Sequence, residues 1–73
     1  MRKVLLNKEP VELFKLLKFE GLAQSGGEAK KMIEQELVYV NGEIDTRKRK
    51  KIVAGDIIKL GDDEFITELD KNL

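Results

Sequence analysis

The chain has no cysteine, histidine or tryptophan, a single proline, and only four aromatic residues among its 73: Phe14, Phe19, Tyr39 and Phe65. Each shortage removes a class of function. Without cysteine there is no disulfide and no thiolate nucleophile; without histidine as well, the usual zinc ligands and the usual general base are gone. Small secreted domains commonly depend on disulfide staples, so a reducing, cytoplasmic setting is expected. No apolar stretch approaches the roughly 20 residues a spanning helix needs, and no signal-peptide pattern opens the chain. The length leaves no room for a second core, a barrel or a doubly wound dinucleotide fold, so residues 1–73 are read as one small domain burying about 60% of its unfolded surface.

Charge is plentiful and sums to zero, with 14 basic and 14 acidic residues. It is unevenly spread. Residues 30–51 hold seven cations against four anions, and residues 52–73 hold two cations against six anions. The excess peaks at Arg47, Lys48, Arg49, Lys50 and Lys51, five cations in succession. A polyanion responds to such a local patch more than to net charge.

The apolar pattern predicts an α+β fold in the order strand, helix, helix, then three or four short strands. Residues 2–6 read as a strand. Residues 9–20 read as a helix, with Pro10 in its first turn, Val11, Phe14 and Leu17 on one stripe, and Gly21 with Leu22 as the stop. Residues 26–36 read as a second helix, because Ser25 and Glu28 have capping-box spacing and Ala29, Met32 and Ile33 form an apolar face. The period then becomes two. Residues 38–40 and 43–45 flank Asn41-Gly42, a type I′ turn signal, and further strands are expected around Gly55-Asp56 and after Gly61-Asp62-Asp63. The tail, residues 70–73, is expected to fray.

Several features bear on function. For the cationic run, a solvated loop and a polyanion site fit about equally. Mutual repulsion is costly in a small domain, and the run lies between strands, which hold it in an arc. Ser25-Gly26-Gly27 is a plain helix cap, or else a set of N–H groups at the positive end of a helix, where a phosphate binds. Glu28 competes for those groups, whereas Lys30 and Lys31 lie within a turn of them. Asn41-Gly42 is first of all a hairpin turn. Lys15 and Lys18 either widen a basic surface or form an ordinary solvent face, with Glu12 paired to Lys15. Phe14 and Phe65 are assigned to the core. Tyr39 alone is no stacking platform, which disfavours single-strand binding and leaves backbone and shape recognition of folded RNA. Asp56, Asp62, Asp63, Glu64 and Glu68 fall on turns and an exposed strand face, with no apolar pocket to make any of them a general acid; they are read as solubilising charge.

Three patterns, taken in order, resemble one family. Gly21-x3-Ser25-x3-Ala29-x3-Ile33, Val38-x-Val40-Asn41-Gly42 and Val53-x-Gly55-Asp56-x-Ile58 are similar to the S4-like RNA-binding domain. The Ser-Gly-Gly-x-Ala-Lys stretch from Ser25 to Lys30 and the Val-Asn-Gly-Glu-x-x-Thr-Arg-x-x-Lys-Lys stretch from Val40 to Lys51 resemble, more narrowly, the small stand-alone bacterial S4-domain proteins. The match covers about residues 11–60. It departs where many S4 domains carry Arg-Leu-Asp and Ser-Arg; here those sites read Val11-Glu12-Leu13 and Ser25-Gly26.

The resemblance implies an S4-like αL motif, two helices packed on a small sheet of about four to five short strands. It also implies a non-enzymatic protein that binds structured RNA, ribosomal or otherwise folded; from the residues themselves, a monomer is expected, with no cofactor, metal or membrane partner. Implied contacts are Ser25, Gly26, Gly27, Lys30 and Lys31 at the second helix, Asn41 and Gly42 at the turn, and Arg47, Lys48, Arg49, Lys50 and Lys51 in the basic loop, with Lys18 beside them. The alternative is an adaptor that docks its basic loop on an acidic protein.

Overall fold

The computed structural model describes residues 1–71. Its elements run β1 (Arg2–Leu6), β2 (Val11–Glu12), α1 (Leu13–Phe19), α2 (Gly26–Glu34), β3 (Val38–Val40), β4 (Glu43–Ile44), β5 (Lys51–Ile52), β6 (Ile57–Leu60) and β7 (Asp63–Leu69). Five strands form one sheet in the order β1-β7-β6-β3-β4; β2 and β5 form a separate two-stranded ribbon. β1 lies at the edge of the main sheet and runs parallel to β7, whereas the other neighbours in that sheet are antiparallel.

Side chains alternate across each strand, so one sheet face carries Val4, Leu6, Val38, Val40, Ile58, Phe65 and Thr67, all buried. Leu13, Phe14, Leu16, Leu17, Ala29 and Ile33 of the helices, together with Ile52 of the ribbon, complete the same core. Lys3, Leu5, Tyr39, Lys59, Glu64 and Glu68 stand on the open face, exposed. Among the described residues, no helix is long and apolar enough to cross a membrane.

Helix ends follow local chemistry closely. α1 stops in a Schellman motif: Gly21 N–H donates to Lys18 O (3.1 Å), Leu22 N–H donates to Leu17 O (3.0 Å), and Gly21 takes the left-handed φ of 76° that this motif requires. α2 opens at Ser25, whose Oγ accepts from Glu28 N–H at 3.1 Å, and ends in a second Schellman motif. There Glu36, at φ 63°, occupies the position where glycine is usual. The Asn41-Gly42 turn has φ values of 53° and 86°, as a type I′ hairpin demands.

The sequence expectation needs correction in five places. The first helix begins at Leu13, not at residue 9, because Val11 and Glu12 pair with Ile52 and Lys51; Pro10 precedes that pairing and lies outside the helix. The second helix ends at Glu34, since the left-handed Glu36 turns the chain. Of the basic run, Lys51 belongs to a strand while residues 45–50 form a loop. Among the described residues, five strands follow the helices where three or four were expected, because the short β5 is drawn out by its pairing with β2. Asp70 is tied down, its N–H donating to Leu6 O at 2.8 Å, whereas the expected fraying of Asn72 and Leu73 lies outside the described residues.

Candidate nucleic-acid interface

The cationic loop is built into the start of α1. Glu12 caps that helix with extended backbone and no side-chain bond, so the first helical N–H groups need other acceptors. The loop supplies them: Leu13 N–H donates to Lys50 O (2.9 Å) and Phe14 N–H donates to Lys48 O (3.1 Å). Lys50 N–H donates in turn to Arg47 O at 3.1 Å. Two carbonyls of the run thus face the helix and a third closes the loop on itself, while Arg47 and Arg49 stay exposed.

Phe14 joins this loop to the second helix. Its ring is nearly buried, and three cations lie over it: Lys30 at 4.6 Å, Arg49 at 5.4 Å and Lys15 at 5.9 Å from the centroid. A Cβ added at Gly26 would sit 3.5 Å from the same ring. Gly26 and Lys30 of α2, Lys15 of α1 and Arg49 of the loop are therefore gathered around one side chain. The sequence reading places Phe14 in the core, which is correct, but misses its role in bringing these charges together. Spacing along the chain carries no sign of a contact between residues 14, 30 and 49.

Carboxylates stand among the cations. Asp45, only 8% exposed, accepts Arg47 N–H (2.9 Å) and Arg47 Nε (3.0 Å) at Oδ1 and Arg47 Nη2 (2.7 Å) at Oδ2. Glu34 pairs with Lys48. Glu12 pairs with Lys15 and with Arg49, both at 3.2 Å. The expected Glu12–Lys15 pair is present, and the Arg49 bond adds to it. All three carboxyls are held below the ordinary range. The side-chain hydrogen bond from Arg47 does this at Asp45, against the opposing effect of burial. The bond from Lys48 does it at Glu34, and the bonds from Lys15 and then Arg49 do it at Glu12.

Among the described residues, Lys18, Lys30, Lys31, Lys50 and Lys51 have no carboxylate at ion-pair distance, as the seven ion pairs all lie elsewhere. Lys18 lies one turn beyond Lys15 on α1, and Lys31 beside Lys30 on α2. Ser25 and Gly27 are exposed at the opening of α2. Asn41 borders a polar cleft lined also by Glu43, Asp45, Thr46, Arg47 and Lys50, and Gly42 follows it in the turn. The amide of Asn41 is already engaged: Oδ1 accepts from Ile57 N–H (2.8 Å) and Nδ2 donates to Asp56 (3.1 Å). Asp56 is therefore more than solubilising charge, since it also accepts Val53 N–H at 3.0 Å and so shapes the turn at Gly55. Asp63 and Glu68 likewise pair, with Arg2 and Lys3.

Two helices, a tight hairpin and a cationic loop closed onto the first helix define a small α+β domain of the αL type. The S4 domain family model matches residues 4–67, and the chain belongs to that family. It is 52% identical over 54 residues to the putative RNA-binding protein YbcJ of Escherichia coli (strain K12), covering 73% of this chain and 77% of that protein. It is 34% identical over 55 residues to the probable ribosome maturation protein RlbA of Bacillus subtilis (strain 168), covering 75% and 78%. The solution structure of Escherichia coli YbcJ, described as revealing an αL motif involved in RNA binding, matches with a TM-score of 0.70 at 42% identity, over 93% of this chain and 87% of that one. The family and these relatives are described by RNA binding and ribosome maturation, and the described residues contain no group of three or more His, Cys, Asp and Glu that could hold a metal.

Proposed function

We propose that this chain binds structured RNA by neutralising backbone phosphates on the face formed by the 45–50 loop, the opening of α2 and the outer side of α1. The contacts assigned are the hydroxyl and N–H groups of Ser25, Gly26 and Gly27, the ammonium groups of Lys18, Lys30, Lys31, Lys48, Lys50 and Lys51, and the guanidinium groups of Arg47 and Arg49. Asn41 and Gly42 border the face, and the Asn41 amide contributes by holding the turn in place rather than by touching RNA. The observation that carries the reading is the pair of bonds from Leu13 and Phe14 N–H to the Lys50 and Lys48 carbonyls, which fixes the cationic loop against the helices instead of leaving it a solvated excursion. The naming of its relatives supports RNA as the polyanion, and the ribosome maturation relative makes folded ribosomal RNA the first to test. The chain acts on this reading as a single monomeric domain in the cytoplasm.

The test is the salt dependence of binding to a ribosomal RNA hairpin. If about four cations contact phosphates, log K falls with log salt at a slope of about −3, and Lys51→Ala weakens binding to all hairpin sequences alike while flattening the slope by about one unit. Affinity unchanged between about 50 and about 200 mM salt overturns the reading. A co-purifying acidic protein that stays bound after nuclease treatment is the result an adaptor would give instead.

A further inference from the structure

We propose that Glu12, Glu34 and Asp45 are specificity-determining positioning residues, which make the basic face favour a rigid phosphate array, such as the backbone of an RNA double helix, over a flexible polyanion. The proposal rests on the reading that this face binds RNA.

The motivating observation is how the three middle cations are held. Arg47, Lys48 and Arg49 are consecutive, yet each is paired with a carboxylate from a different part of the fold: Asp45 after β4, Glu34 in the last turn of α2, and Glu12 at the foot of α1. The loop backbone is fixed through the Lys48 and Lys50 carbonyls and through Arg47 N–H, which donates to Asp45, so the Glu34 and Glu12 pairs are not needed to shape it. Their effect falls on the side chains. Lys48, 43% exposed, and Arg49, 66% exposed, would otherwise sweep a wide arc.

Two consequences follow for a bound polyanion. Immobilising a long cationic side chain on binding costs conformational entropy, and pairing in the free protein removes part of that cost. A double helix, with phosphates already at fixed spacing, gains from cations at fixed points. A flexible strand must be ordered to reach those points and loses the gain. The carboxylates also repel any phosphate that strays between the cations. A rigid array in register avoids them; a flexible chain samples them. Removing one carboxylate therefore relieves the flexible ligand more than the rigid one.

Glu34→Gln is the cleanest probe. The residue is 54% exposed at the end of a helix, the change is isosteric, and glutamine keeps helix propensity. Glu12→Gln serves as the second variant. The measurement is binding of the purified chain to a hairpin RNA with a stem of one helical turn and to an oligouridine of equal length, with thermal melting of each variant alongside. The wild type is expected to favour the hairpin. Glu34→Gln is expected to tighten oligouridine binding by about 2–5-fold, with hairpin affinity changing less than about 2-fold, so that the preference narrows. Equal tightening of both ligands would mean plain charge removal and overturn the proposal. Equal weakening of both, tracking a lowered melting point, would mean structural support only and overturn it too, as would no change in either variant. A wild type that binds neither probe removes the RNA reading itself, a result distinct from these.

Discussion

Asp45 is the buried charged side chain of the described residues, and its carboxylate is satisfied three times over by Arg47. Its folded titration lies below the ordinary carboxylate range, while the unfolded chain titrates within it. The unfolded state thus binds the proton more readily. The stabilisation is complete above the ordinary range and is lost as pH falls through the lowered folded value. The melting temperature should therefore begin to fall below about pH 4, and Asp45→Asn should lower it at neutral pH while making that acid decline shallower; an unchanged pH profile would show that the pair contributes nothing. Glu12 and Glu34 act with the same sign, though their exposure to solvent screens the effect. Thr67 is the other buried polar residue. Its Oγ1 donates to Val53 O (2.7 Å) and accepts from Asp56 N–H (3.1 Å), which stitches the turn at Gly55 to β7. Thr67→Val preserves shape but removes both bonds and leaves Asp56 N–H and Val53 O only their mutual 3.2 Å contact, so chemical denaturation should show a loss of about 1 kcal/mol.

At the level of elements, the two helix termini differ in how well they suit their residues. Ser25 is a fitted cap, and Ser25→Ala should cost about 1 kcal/mol in denaturant unfolding. Glu36 is a poor fit. A non-glycine residue at left-handed φ pays roughly 1–2 kcal/mol, and glycine forfeits part of that relief through its looser unfolded state, so Glu36→Gly should stabilise by up to about 1 kcal/mol. Much of this was legible in the residues, because caps and turns depend on neighbours in sequence: Gly21, Ser25 and Asn41-Gly42 all do what their chemistry suggests. The start of α1 was not legible. Val11 continues the stripe of Phe14 and Leu17, and what removes it from the helix is a pairing with Ile52, a partner some forty residues away along the chain. The same holds for the edge pairing of β1 with β7, since nothing near either strand names the other.

For the whole molecule, the sequence revealed that charge is segregated but not how cations and carboxylates interlock. The run at residues 47–51 looks like five like charges in a row; folded, its first three are each paired and, among the described residues, its last two have no carboxylate at ion-pair distance, although Lys50 still helps to hold the Asp45 carboxyl low. The β6–β7 turn, with Asp62 and Asp63, closes the sheet at the end away from the Asn41-Gly42 hairpin, as the pairing of Leu60 with both Val38 and Asp63 requires. On the proposed reading the cationic loop takes phosphates and the acidic turn repels them, which would orient the molecule on a nucleic acid although its net charge is zero. The most direct measurement is an NMR titration of the isotope-labelled chain with an unlabelled RNA hairpin, followed amide by amide. The account predicts shifts and broadening concentrated at residues 25–31 and 47–51, with the amides of Asp62, Asp63 and Glu64 left in place. Perturbations centred instead on that acidic turn, or on Leu5, Tyr39 and Lys59 of the open sheet face, would contradict it.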